Sequence, residues 1–209
     1  MRFIEDQKWR YATKKFDATK KVSNEDLEKL KEAINLAATS YGLQLFKVLI
    51  VENKLKRDLL QPASWGQSQV TEASHLMVFC NFNEVTEAHL NHYASLKATA
   101  NDIPVENLKG YMDFIQNTLS TRTPDEINNW TAKQAYIALS NVISAAAELK
   151  IDTCPMEGFD AAKYDEILGL TEKGLTAAVV CPIGYRAEED DTQHAPKVRK
   201  SVEDLFEVV

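Results

Sequence analysis

The sequence lacks the short motifs that advertise a nucleotide turn. Its seven glycines fall into no GxGxxG and no GxxxxGK[ST] pattern, so neither a Rossmann-type dinucleotide turn nor a P-loop is signalled. There is no GxSxG elbow to present a nucleophilic serine. Cysteine is scarce. Cys80, Cys154 and Cys181 are the only three; none forms a CxxC pair, and each sits in an apolar run. That argues against a disulfide framework and for buried thiols in a reducing compartment. No apolar run approaches the roughly 20 residues of a membrane span. The opening MRFIEDQKWRY has no apolar core of a signal peptide, so a cytoplasmic protein is expected. Positive charge is outweighed, with 24 Lys and Arg against 31 Asp and Glu for a net charge of −7. Such a balance speaks against general binding to nucleic acid or to acidic membranes. No repeat, low-complexity tract or Pro/Gly/Ser linker interrupts the chain, which reads as one domain over residues 1–209.

What is present centres on the stretch from Trp130 to Asp160, WTAKQAYIALSNVISAAAELKIDTCPMEGFD. Residues 131–150 form the longest helical pattern, with apolar residues round most of the circumference and a narrow polar row at Ser140, Ser144 and Glu148. A helix of this kind belongs inside the molecule. After it the chain turns through a short extended piece, 151–154, into Pro155-Met156-Glu157-Gly158. Pro155 cannot continue a helix, Gly158 allows close backbone approach, and Asp160 is an N-cap for a helix beginning at Ala161. Such a loop is either an ordinary connection or a rigid platform on which backbone lies flat against a planar ligand.

The remaining pattern alternates helix and strand. Helices are predicted at 3–10, 24–36, 54–60, 67–73, 84–100 and 105–119, with Ser23 opening a capping pattern. Apolar strands are predicted at 44–51, 75–80 and 175–182. Pro62 to Gly66 reads as a break, Asn117 to Pro124 as a polar link, 184–196 as an acidic loop, and 202–209 as an extended or helical tail able to reach another subunit. The class is α+β with a buried sheet.

Candidate chemistry is sparse. His89 and His92 stand three apart, but without a Cys or carboxylate ligand pattern they read as a helix face, and no metal site is expected. His75 at a strand start reads as a hydrogen-bonded core residue. Basic residues gather at the two ends: Arg10, Lys14 and Lys15 near the start, Lys197, Arg199 and Lys200 near the finish. In an acidic chain these are either solvated surface charges or two clusters that meet over a phosphate.

Taken together, RYATKKFD (10–17), ATSYGLQ (38–44), WGQSQVTEASH (65–75), CPMEGFD (154–160) and PKVR (196–199) resemble the nitroreductase family. The likeness is to its oxygen-insensitive NAD(P)H-dependent and dihydropteridine-reductase-like branch, along the whole chain and in order. It implies an α+β fold with a mostly antiparallel central sheet surrounded by helices, and an intertwined homodimer with a C-terminal extension. It also implies FMN bound at the dimer interface. By position, Arg10, Lys197 and Arg199 would hold the FMN phosphate, beside Tyr11 and Ala12. Lys14 would reach the ribityl chain and pyrimidine edge, with Gln67 and Gln69 near that edge. Pro155, Met156, Glu157 and Gly158 would line one flavin face, a backbone N–H directed at N5. Ala38, Thr39, Ser40 and Gly42 would come from the partner protomer. No catalytic side chain is required, because the flavin carries the hydride.

The implied reaction is a ping-pong transfer from NADH or NADPH through FMN to a small acceptor such as a nitroaromatic or quinone. The alternative is a flavin-binding module that stores FMN without turnover. Tyr111 and Phe114 are candidate ring contacts. Three positions depart from the family's habit: Ala12 where Ser is usual, Gly42 where Asn is frequent, and Gln69 where some relatives carry Lys. A neutral Gln69 would stabilise an anionic reduced flavin less.

Overall fold

The computed structural model describes residues 1–209. In chain order the elements are α1 (Arg2–Trp9), α2 (Asn24–Asn35), β1 (Phe46–Val51), α3 (Lys54–Ala63), α4 (Gln69–Glu72), β2 (His75–Phe82), α5 (Glu87–Asn101), α6 (Lys109–Ser120), α7 (Pro124–Glu148), β3 (Asp152–Thr153), α8 (Ala161–Leu168), β4 (Leu175–Gly184) and α9 (Val202–Leu205). The four strands form one sheet in the order β1-β2-β4-β3. Every adjacent pair is antiparallel.

The sheet is buried on both faces, and the continuous apolar strands are the reason. Successive side chains on a strand point to opposite faces. On β2, Leu76, Val78 and Cys80 join a cluster with Leu60 and Ala63 of α3 and Tyr164 and Leu168 of α8. Met77 and Phe79 join the other cluster, with Leu27, Leu30 and Ile34 of α2 and Ala135, Ala138, Leu139 and Val142 of α7. Phe79 has no exposed surface, so its truncation to Ala would cost about 3–5 kcal/mol. A third, smaller cluster closes the α5–α6 hairpin against Ile127.

Most predicted elements stand, with shifted ends. The central helix begins at Pro124, seven residues earlier than its apolar pattern, because Thr123 and Glu126 form a reciprocal capping box with Pro in the first turn. The polar link before it shrinks accordingly. Pro62 lies in the last turn of α3 and does not break it. The 67–73 helix is a single turn, Gln69–Glu72. The buried Arg57 guanidinium donates to the carbonyls of Val70, Ala73 and Ser74 and so gathers the end of that turn. The 105–119 segment is a 3-10 turn followed by α6. The central helix is not enclosed all round. Tyr136 and Ile137 reach the surface of the protomer, at 37% and 44% exposure.

Two smaller expectations are met by hydrogen bonds. Ser23 Oγ accepts from the Asp26 amide, and Asp160 Oδ1 accepts from the Lys163 amide at 3.2 Å. His75 Nδ1 lies 2.9 Å from Ser74 Oγ. His89 serves in the N-terminal capping box of α5, its Nδ1 accepting from the Thr86 amide. All three cysteines are buried free thiols. No helix is long and apolar enough to cross a membrane.

Candidate functional site

The two ends of the chain meet along the β3 edge of the sheet. Ala12 bridges Thr153 in parallel, and the Thr13 amide donates to the Thr153 carbonyl at 3.2 Å. The return segment after β4 covers this strip. Asp190, only 2% exposed, accepts from the Tyr11 hydroxyl at 2.9 Å and from the Lys14 and Lys15 amides at 2.8 and 3.1 Å. Burial pushes the Asp190 carboxyl up. The donors from Lys14, Lys15, Tyr11 and Thr192 outweigh burial and hold it below its ordinary value. Burial and the same hydrogen bond push the Tyr11 phenol up.

Beneath the strip lies a buried ion pair. Arg186 Nη2 reaches Asp152 Oδ1 at 2.6 Å, with side-chain exposures of 20% and 3%. The guanidinium lies over both the Trp9 and the Tyr11 ring, 4.4 and 4.5 Å from their centroids. This sandwich fixes the backbone on either side of Arg10.

Arg10, Lys197 and Arg199 form a cluster of positive charge without a facing carboxylate. Arg10 donates to the Gln7 amide oxygen, Lys197 to the Lys8 carbonyl and Arg199 to the Val198 carbonyl, all neutral acceptors. Burial and the neighbouring Arg199 lower the Arg10 pKa. Burial, then Arg10, Arg199 and Arg186, lower that of Lys197. Cations that repel one another with no acid between them are an arrangement that an anion would relieve. Lys14 continues the strip toward the loop that follows β3, where its charge acts on the buried Cys154 thiol, which burial pushes up.

That loop is Pro155–Gly158. Met156 is turned inward, 6% exposed, and its N–H and carbonyl both pair with Val180. It has no free backbone group to offer. Glu157 is exposed, and its Oε1 accepts from the Tyr136 hydroxyl at 2.6 Å. Gln67 Nε2 donates to the Gly158 carbonyl at 2.8 Å. A Cβ on Gly158 would sit 3.0 Å from the Trp65 ring and 3.2 Å from Gln67 Nε2, so any larger residue would push one of these side chains aside. Gln69 is buried at the start of α4.

Two residues at this end had no site role assigned from the sequence. Tyr136 looked like one more apolar position of a buried helix. Trp65 stands just past α3 at φ 54, where glycine would be usual, and is 72% exposed. An indole left in solvent on a left-handed residue breaks two local rules at once, which only the structure reveals.

The small-residue loop is held elsewhere. Trp130 Nε1 donates to Ser40 Oγ at 3.3 Å, Tyr41 lies edge-on to Phe114 and Trp130, and Gly42, at φ 77, has the Tyr93 ring 3.2 Å from where a Cβ would be. Ala38 and Ser40 are exposed and Thr39 half-buried. No hydrogen bond within the chain ties Ala38, Thr39, Ser40 or Gly42 to the strip. A hollow of about 540 Å³ lies between the ends of α5, α6 and α7 and shares no residue with the strip. The strip itself is an open platform.

The platform and its sheet define an α+β fold with a basic end and a backbone-donor end. A family model described as the nitroreductase family matches residues 8–185. A Staphylococcus epidermidis protein named "Putative NAD(P)H nitroreductase" is 37% identical over 208 residues, covering 95% of this chain and 92% of its own. A Bacillus subtilis protein of the same description is 33% identical over 212 residues, covering 96% and 94%. The chain belongs to the nitroreductase family, a family of oxidoreductases.

Solved structures show the same fold. A Staphylococcus epidermidis protein described as a "putative NAD(P)H:FMN oxidoreductase" superposes with a TM-score of 0.88 at 16% identity, over 99% of this chain and 95% of that one. An Exiguobacterium sibiricum protein solved in complex with FMN superposes with a TM-score of 0.84 at 18% identity, over 99% and 97%.

Proposed function

We propose that the protein is an FMN-dependent NAD(P)H oxidoreductase that passes reducing equivalents to small acceptors such as nitroaromatics or quinones. The observation that carries this reading is the polarity of the strip. At one end Arg10, Lys197 and Arg199 find only neutral acceptors; at the other stands a loop whose Glu157 and Gly158 amides donate to no group of the chain. A dianionic phosphate with a planar, hydrogen-bond-accepting ring fits that order.

In this reading Arg10, Lys197 and Arg199 hold the phosphate beside Tyr11 and Ala12, and Lys14 reaches the ribityl chain and the pyrimidine edge. Gln67 and Gln69 stand near that edge. The loop from Pro155 to Gly158 supports one ring face, its unpaired amides being those of Glu157 and Gly158. Bound FMN supplies hydride acceptance and donation; the chain binds it, orients it and keeps water from one face. No side chain of the strip needs to act as an acid or a base.

The platform is open on one protomer, and Ala38, Thr39, Ser40 and Gly42 lie away from it. We therefore read the working unit as a homodimer in which the second protomer's 38–42 loop closes the site. The exposed Tyr136, Ile137, Leu205 and Phe206 are apolar surface for that contact. Buried free thiols suit a reducing, cytoplasmic setting.

The test is the visible spectrum of the purified protein after incubation with FMN, followed by anaerobic titration with NADH and with NADPH, and steady-state turnover with menadione. Stoichiometric bound flavin that either donor bleaches and menadione restores is the expected result. A protein that remains colourless with excess FMN overturns the reading.

A further inference from the structure

We propose that Tyr136 is a positioning residue: its phenol and the Gln67 amide clamp the Glu157–Gly158 loop from two sides, so that two consecutive backbone amides are presented together to the flavin ring. The proposal rests on the reading of the strip as a flavin platform and deepens it.

Between Met156 and Asp160 three of the five backbone donors are engaged. Met156 N–H donates to Val180, Phe159 N–H to Glu157, and Asp160 N–H to Ala63. The amides of Glu157 and Gly158 alone donate to no group of the chain. Two adjacent free amides on one loop are a donor pair open to a ligand. It has value only if the peptide between them is held still, because preorganised dipoles act without reorganisation when charge develops.

The loop has two side-chain restraints of different kinds. Gln67 Nε2 donates to the Gly158 carbonyl at 2.8 Å and to the Ser64 carbonyl at 3.1 Å. This ties the loop to the end of α3, where the Trp65 ring fills the space beside Gly158. From the other side Tyr136 donates to Glu157 at 2.6 Å, a charge-assisted bond. Glu157 is exposed and would otherwise sample its rotamers freely. Tyr136 stands on the 25-residue α7, which packs Ala135, Ala138, Leu139 and Val142 into the core, so the restraint is anchored to the longest helix of the protein. The phenol is pushed up to about 12 by burial and then by Glu157, and so it remains a donor throughout the physiological range.

The test compares Tyr136→Phe, Glu157→Gln and Glu157→Ala in the FMN-loaded protein. Tyr136→Phe removes the donor and keeps the ring; Glu157→Gln keeps an oxygen acceptor for the phenol; Glu157→Ala removes it. The readouts are the ¹⁵N order parameter of the Gly158 amide, the FMN Kd and the anaerobic rate of flavin reduction. Tyr136→Phe and Glu157→Ala are expected to lower the order parameter from a rigid value of about 0.85 toward about 0.6. Both should slow reduction about tenfold and change the FMN Kd less than about threefold, the phosphate end being untouched. Glu157→Gln should keep the order parameter nearer the parental value and slow reduction less than Glu157→Ala does.

An unchanged order parameter and rate in Tyr136→Phe overturns the clamp. So does a Glu157→Gln variant as impaired as Glu157→Ala, which would show that charge acts and not position. If the parent binds no FMN, the functional reading fails by itself. The Gly158 order parameter of the flavin-free parent and of Tyr136→Phe then still decides whether the clamp exists.

Discussion

The Asp190 carboxylate accepts a hydrogen bond from the Tyr11 hydroxyl at 2.9 Å, across 179 residues of sequence. The same oxygen takes the Lys14 and Lys15 amides, so one buried carboxylate fastens the return segment to the basic N-terminal strip. Removing that charge leaves the Lys14 and Lys15 amides and the Tyr11 hydroxyl with a weakened partner. Asp190→Asn is expected to cost about 3 kcal/mol and to lower Tm by roughly 9 °C, measured by chemical and thermal unfolding at neutral pH.

The sign of its pH dependence follows from its depressed pKa. Stability from such a group is complete above the unfolded carboxylate value of about 3.9 and is lost as pH falls through the lower folded value. The gap between parent and variant should therefore be constant from pH 5 to 8 and shrink below about pH 4. A gap that instead shrinks toward alkaline pH would contradict this assignment.

Arg199 donates only to the carbonyl of Val198, and its charge acts on the like-charged Arg10 and Lys197. Arg199→Ala should leave folding unaffected and weaken FMN binding by about 2–3 kcal/mol, roughly 30- to 150-fold. Titration of the flavin-free variant measures it. Full occupancy at parental affinity would show that the C-terminal cations are solvated surface charge.

Arg186 and Asp152 make the opposite kind of pair, buried and bonded through two guanidinium nitrogens. Arg186→Ala strands a carboxylate that is 3% exposed, at a cost of about 3–5 kcal/mol. Asp152→Asn combined with Arg186→Met should recover most of that loss. A double variant as unstable as Arg186→Ala would show that the Trp9–Tyr11 sandwich, and not the charge, holds the strip.

Glu157 is the only carboxylate of its loop, and Tyr136 occupies one of its oxygens. Glu157→Gln should retain flavin and slow hydride transfer about tenfold or less, against the hundredfold or more expected on losing a proton-transfer group. Stopped-flow reduction from pH 6 to 9 decides the point. A several-hundredfold loss, together with disappearance of an ionisation present in the parent, would make Glu157 an acid or base.

The assembly is expected to be a homodimer holding two FMN, with flavin released on dissociation. Sedimentation with absorbance detection of the flavin tests it. A monomer that retains FMN tightly would mean that the 38–42 loop plays no part in closing the site.

Local physics made much of this fold legible in the amino-acid sequence. The unbroken apolar runs at β2 and β4 specified strands covered on both faces, because a period of two sends alternate side chains to opposite layers. The caps at Ser23 and Asp160 specified where α2 and α8 begin, since those side chains satisfy amides three residues on. The Pro-x-Glu-Gly loop and the basic residues at the two ends were visible as motifs. The early start of α7 was also written locally, in Thr123-Pro124-Asp125-Glu126, but an apolar pattern does not register a polar first turn.

Tertiary structure alone decided the rest. Tyr11 and Asp190, Arg186 and Trp9, and Tyr136 and Glu157 meet because the sheet order brings separate stretches of chain to one edge, and hydropathy carries no record of that path. The same holds for Met156, a motif residue whose backbone is consumed by Val180, leaving the unpaired amides to its two successors. Periodicity reports which face of an element is apolar. Which polar groups end up opposite one another depends on the closure of the whole chain, and the binding platform is built from those.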